Sequence, residues 1–189
     1  MKKSLIIALW AIAILWAVYI LNIIVFFADF KALGIRPREG WGIIGIPLSP
    51  FLHGSWGHLI SNSIPLFILT FVLAQFYKKL WIQVTVFSVL VGGFAVWLLA
   101  QKNTVHIGAS GVIFSYIGFI VFSGVFRRSA KSIIIGIIIL LLYGGTLIFG
   151  VLPKQPGISW QGHLFGAIAG IIAAYIYKDK YKADDKFKS

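Results

Sequence analysis

Hydrophobic residues make up 59% of the 189 positions and charged residues 12%, about half the charge of an ordinary soluble domain, which argues against a water-soluble fold. Cysteine is absent, so disulfides, thiolate metal sites and cysteine nucleophiles are excluded. The net charge of +12 does not point to nucleic acid, because most of the cations stand in short runs at the ends of apolar segments, where they set topology and meet anionic headgroups.

Apolar runs of about 18 or more residues recur from end to end, each closed by lysine, arginine or a polar loop, the pattern of a polytopic membrane protein. The expected architecture is an all-α membrane bundle of six spans near 5–28, 57–77, 81–100, 108–126, 132–150 and 160–177, forming one domain over 1–189. The first span follows Met1-Lys2-Lys3. It reads as a retained helix rather than a signal peptide, since it is too long and its A-x-A pattern, Ala11-Ile12-Ala13, lies inside it. The connection at 29–56 is rich in glycine, proline and aromatics (Gly40-Trp41-Gly42, Ile46-Pro47-Leu48, Phe51) and is expected at the interface, with Trp41 and Trp56 at headgroup level.

The second span carries His58 and Asn62, spaced i, i+4 and so on one helix face. Both side chains can donate hydrogen bonds to an oxyanion. A metal site is discounted, because asparagine is a weak ligand and no carboxylate is near. A polar loop, Gln101 to His106, leads into Gly108-Ala109-Ser110-Gly111, which puts Ser110 in the first turn of the fourth span. Backbone amides there have no intrahelical partner and favour a developing negative charge; a small-residue packing surface is the alternative reading. The fifth span, rich in isoleucine and leucine, is interrupted by Gly144-Gly145.

The sixth span opens with Gly162-His163 and continues with Gly166 and Gly170 on the face of His163. Those glycines allow close approach of the small face of the fourth span, Gly111, Ser115 and Gly118, which would bring Ser110 and His163 within hydrogen-bond reach. A neutral imidazole can then take the serine proton; a structural histidine bonded to a carbonyl is the alternative. His53 and His106 fall in or beside outer loops and read as interfacial residues.

With the N-terminus inside, twelve lysines and arginines fall on the inner side (Lys2, Lys3, Lys78, Lys79, Arg127, Arg128, Lys131 and those from Lys178 to Lys188) and five on the outer. Both termini are therefore expected in the cytoplasm. The second, fourth and sixth spans then run from outside to inside. Counting ~1.5 Å per residue from the inner boundary puts Ser110 at ~25 Å, Asn62 at ~24 Å and His163 at ~22 Å, one shared depth just below the outer surface of a ~30 Å core. The carboxylates, Asp29, Glu39, Asp179, Asp184 and Asp185, lie in the first loop or the tail. A Ser-His-Asp triad is thus not expected, and a serine hydrolase here would run on a dyad, with Phe114, one turn below Ser110, packing against the imidazole.

These features resemble the rhomboid intramembrane proteases over nearly the whole chain. The hallmarks appear as Gly108-Ala109-Ser110-Gly111, His163 with Gly166 and Gly170, and His58-Leu59-Ile60-Ser61-Asn62, with His53 five residues upstream. The resemblance implies Ser110 as nucleophile, His163 as general base and then acid, and an oxyanion hole from His58, Asn62 and the Ser110 N–H. It also implies no cofactor or metal, and cleavage of other membrane proteins in or beside a transmembrane helix at small, helix-destabilising sequence. The expected place is the bilayer of a prokaryotic cytoplasmic membrane. The tyrosine often found one turn after the serine is Phe114 here, and the family's Trp-Arg pair in the first loop is replaced by Gly-Ile around 45. A non-proteolytic relative that escorts transmembrane helices would explain the small-residue faces. A transporter would instead need ionisable residues along a path through the membrane, and no internal repeat supports one.

Overall fold

The computed structural model describes residues 1–24, 29–78, 80–153 and 159–180; the expected end of the first span at 25–28, Lys79, Lys154 and the tail from 181 lie outside them. Six main helices follow in order: α1 (Lys2–Ile24), α2 (Trp56–Phe76), α3 (Leu80–Leu99), α4 (Ser110–Arg127), α5 (Ala130–Gly150) and α6 (Trp160–Ile176). The first five are long and apolar enough to cross a membrane. α6, at 17 residues, is ~25 Å long and falls short of a full span. With its first turn beside a cavity, it has no need to reach across the whole apolar thickness. The fold is the rhomboid-like helical bundle that the sequence pattern implies.

Serine starts three of these helices for the same reason. The Oγ atoms of Ser55, Ser129 and Ser159 accept from the amides of His58, Ser132 and Gly162, satisfying donors that a helix start leaves open. α4 instead follows Gly108, whose φ of +108° suits glycine alone, and ends at Arg128 in the left-handed region.

α4 is the central element, with 67% of its span buried. Its closest neighbour is α6, and glycine permits the approach. A Cβ at Gly166 would run into the carbonyl of Gly111, and one at Gly170 into that of Ser115. From the other side, a Cβ at Gly118 would lie 2.7 Å from the Ala167 oxygen. Backbone meets backbone along two turns, and dispersion between close-packed chains replaces the hydrophobic driving force that lipid does not supply.

The remaining helices close around this pair. α1 is pinned to α2 by Ser4 donating to Gln75 (3.0 Å) and the Trp16 indole donating to Ser63 (3.1 Å). α3 changes to a π-helical turn over Ser88–Gly92. That extra residue turns Gly92 towards Gly166 and Ala169 of α6 and sets the Ser88 hydroxyl against that of Ser115 on α4, 2.5 Å away. Gly124 and Gly136 bring the first half of α5 onto α4, whereas the second half is largely exposed, with Leu141, Leu142, Ile148 and Phe149 on its surface.

The long first connection folds into short helical turns (Phe30–Leu33, Trp41–Ile43, Gly45–Leu48 and Ser49–Phe51). Its anchor is not the Trp-Arg pair of the family pattern but Arg38. Its guanidinium donates to the carbonyls of Leu98 (2.9 Å) and Ala100 (2.7 Å), capping the end of α3, while Trp97 Nε1 donates to the Glu39 carbonyl at 2.9 Å. Trp41 is fully on the surface, but Trp56 packs edge-on against Tyr19 of α1.

The backbone contact predicts an asymmetry between glycines. Gly170→Ala should lower unfolding stability in detergent by about 2–3 kcal/mol through overpacking. Gly145→Ala, where an added Cβ meets nothing within 4 Å, should be neutral or stabilising by up to about 1 kcal/mol from helix propensity.

Candidate active site

At the end of the bundle where α2, α4 and α6 begin, a cavity of about 790 Å³ opens between α2, the loop before α4, α5 and α6. Ser110, His163, His58 and Asn62 all line it. Ser110 is the first residue of α4, so its own N–H is among the unpaired amides of the helix start. His163 is buried and stacks on Phe114, with ring centroids 4.1 Å apart and planes 7° from parallel. Its Nδ1 lies 2.8 Å from the carbonyl of Gly150, the last residue of α5. A carbonyl only accepts, so a neutral His163 making this bond carries its proton on Nδ1 and keeps the Nε2 lone pair. The carbonyl-bonded histidine and the available base, alternatives in the sequence, are therefore compatible: one bond uses one ring nitrogen.

No hydrogen bond joins Ser110 to His163, although the sequence pattern puts them within reach. The glycine contacts between α4 and α6 hold the two on facing first turns of those helices.

On the other side of Gly108, His58 and Asn62 come together. A Cβ built on Gly108 would stand 2.6 Å from His58 Nε2 and 3.5 Å from Asn62 Nδ2. The glycine is thus required twice, for its positive φ and for the room it gives the imidazole. Asn62 is buried and spends one N–H on the His58 carbonyl at 3.1 Å, which fixes its amide and leaves a second N–H. The arrangement supplies a hydroxyl, an imidazole lone pair and several donors around one space. Among the described residues no group of three histidines or carboxylates could hold a metal ion.

His53 and His106, which the sequence reads as interfacial, are covered by the loops that carry them. They are 3% and 7% exposed, because each ties loop backbone or side chains together beneath the surface. His106 pairs with Ile35 through two backbone bonds (3.0 and 2.9 Å). Its ring is satisfied as a neutral species. Thr104 donates to the Gln101 carbonyl (2.6 Å) and so accepts from Nε2–H (2.9 Å), while the Ser159 hydroxyl donates to Nδ1 (2.5 Å). This links the first loop, the loop before α4 and the start of α6. His53 sits edge-on to His58, with centroids 5.0 Å apart, and its Nδ1 donates to the Phe51 carbonyl at 3.4 Å. Gly150, Ser159 and Gly108 are the residues that sequence reasoning gave no role. Only Gly108, the first residue of the serine motif, carried a signal; a backbone acceptor has none.

Burial lowers the pKa of both loop histidines to about 4, helped at His53 by the neighbouring His58. An unfolded chain takes up these protons near pH 6.5 and the folded one does not, so stability is full above pH 6.5 and falls as pH drops towards 4. Unfolding titrations should show a loss of up to about 3 kcal/mol per histidine over that window, and His106→Gln should flatten part of the slope.

A sequence model of the Rhomboid domain matches residues 37–180. An uncharacterized protein of Mycobacterium tuberculosis is 40% identical over 150 residues, covering 76% of this chain and 62% of that protein. One from Mycobacterium leprae is 42% identical over 151 residues, covering 76% and 59%. A Bacillus subtilis protein named "Putative rhomboid protease YdcA" is 28% identical over 151 residues, covering 78% and 72%. The chain thus spans about six-tenths of the length of the mycobacterial relatives it matches.

Proposed function

The chain belongs to the rhomboid family, and from that premise we propose that it is an intramembrane serine endopeptidase working through a Ser110–His163 dyad. The observation that carries this reading is the convergence of Ser110, His163, His58 and Asn62 on one cavity, with the imidazole held by Phe114 and Gly150.

In this mechanism Ser110 Oγ attacks the scissile carbonyl while His163 Nε2 takes its proton. The oxyanion forms beside the Ser110 N–H, His58 and Asn62, donors already in place before charge develops. His163 then protonates the leaving amine, and a water admitted through the cavity attacks the acyl-enzyme with His163 again as base. Small residues suit a peptide that must lie between the loop before α4 and α2, and helix-breaking sequence exposes a carbonyl that an intact helix keeps bonded. Substrate is another protein's transmembrane segment, cut near the outer face of a multi-pass protein of a prokaryotic cytoplasmic membrane whose termini face the cytoplasm. A helix-escort role accounts for the glycine faces but leaves the polar cavity without a use.

A substrate helix reaches the cavity sideways. Pro65 on α2 and Thr146 on α5 both line it, and the exposed second half of α5, beginning at Gly144-Gly145, is the element to move. A cross-link from that half to α2 should abolish cleavage; a cross-linked protein as active as the free one would remove α5 as the gate.

In proteoliposomes with a single-pass substrate carrying a small-residue, helix-breaking juxtamembrane segment, Ser110→Ala and His163→Ala should each lower cleavage at least about 1,000-fold. His58→Ala and Asn62→Ala should lower kcat about 10- to 100-fold. Undiminished cleavage by Ser110→Ala would sink the mechanism.

A further inference from the structure

A serine–histidine pair normally has a third group that fixes which imidazole nitrogen bears the proton and steadies the ring when it becomes charged. The sequence carries its five carboxylates in the first loop or after α6, and among the described residues none is hydrogen-bonded to His163. Instead, the backbone carbonyl of Gly150 stands 2.8 Å from His163 Nδ1.

We propose that Gly150 is the positioning residue of the dyad, its carbonyl holding His163 as the Nδ1–H tautomer in the orientation that presents Nε2 to Ser110. The inference rests on the protease reading above and adds the group that makes the dyad sufficient. Three features of the structure carry it. Gly150 ends α5, and the last carbonyls of a helix are the ones that take partners from outside it, here His163 Nδ1. The end of a helix bears partial negative charge, and here it faces an imidazole that becomes positive for the moment between receiving the serine proton and passing it to the leaving amine. Glycine is also the residue that fits. A Cβ at position 150 would run into the Phe114 ring and come within 3.3 Å of His163 Nδ1, so any larger residue would push the carbonyl off the stacked pair.

The proton account is complete with these groups. Ser110 loses its proton to Nε2 as Oγ bonds to the carbonyl carbon. Nδ1–H stays bonded to Gly150 throughout, and the Nε2 proton leaves on the amine as the C–N bond breaks. One consequence follows for α5: its end must be seated on His163 while bonds are made, so a helix that swings out to admit substrate must return before chemistry.

The test uses the full chain in lipid with nitrogen-15 histidine, which reports the tautomer of each of the four imidazoles, the His163→Ala variant assigning the signal. At neutral pH His163 should carry its proton on Nδ1. Incorporating the α-hydroxy acid analogue of Val151 turns the 150–151 amide into an ester, weakens the Gly150 carbonyl as an acceptor and keeps every side chain. The same change at Gly150 weakens the Phe149 carbonyl instead and is the control. The Val151 ester should move population to the Nε2–H tautomer and lower kcat about tenfold with KM unchanged, the control ester staying within about twofold of wild type. A wild-type proton on Nε2, or a Val151 ester indistinguishable from its control in tautomer, would overturn the proposal. The tautomer is read without turnover, so a wild-type chain that cuts nothing yet keeps Nδ1–H counts against the protease reading alone and leaves the positioning intact.

Discussion

Everything at the polar end of this bundle depends on how closely α6 can approach α4. Gly166 and Gly170 lie directly on the carbonyls of Gly111 and Ser115, and a single methyl on either would hold the helices apart. Helices in lipid gain nothing by hiding apolar surface from one another, so this contact rests on packing alone. The geometry it sets is nevertheless stringent: His163 and Ser110 sit on the first turns of two helices, and a shift of about 1 Å at such a site is costly for proton transfer.

The second constraint is how polar groups are kept in order at membrane depth. Each functional side chain is fixed by a short local device rather than by an extended ionic network. Phe114 sets the plane of His163 and Gly150 its rotation about the ring. Asn62 is tied back to His58, and Gly108 leaves the His58 ring room. His106 gathers Ile35, Thr104 and Ser159 into one neutral hydrogen-bonded chain. Charge is absent from this list, as it should be where unpaired charge is expensive.

Much of this was legible in the sequence because membrane segments restrict what polar residues do. A histidine, a serine and an asparagine at one depth are conspicuous against 59% hydrophobic residues, and the G-x-x-x-G spacing of α6 announces a close neighbour. Three features were not legible. The histidines at 53 and 106 read as interfacial because loop position predicts exposure, whereas the loops fold back over them. Arg38 as an anchor could not be told from a topogenic cation, since its partners are backbone carbonyls at the end of α3. Gly150 was invisible for the same reason: an acceptor on the main chain belongs to every residue, and only the end of α5 and its position over His163 single it out.

The most direct test of the account is whether Ser110 is an activated nucleophile. A serine-directed fluorophosphonate offered to the folded protein in lipid should form one adduct, on Ser110 by peptide mass mapping, and His163→Ala should abolish it while the variant stays folded. Wild-type protein that is folded by helical content yet unlabelled at Ser110, or labelled as well without His163, would contradict the dyad.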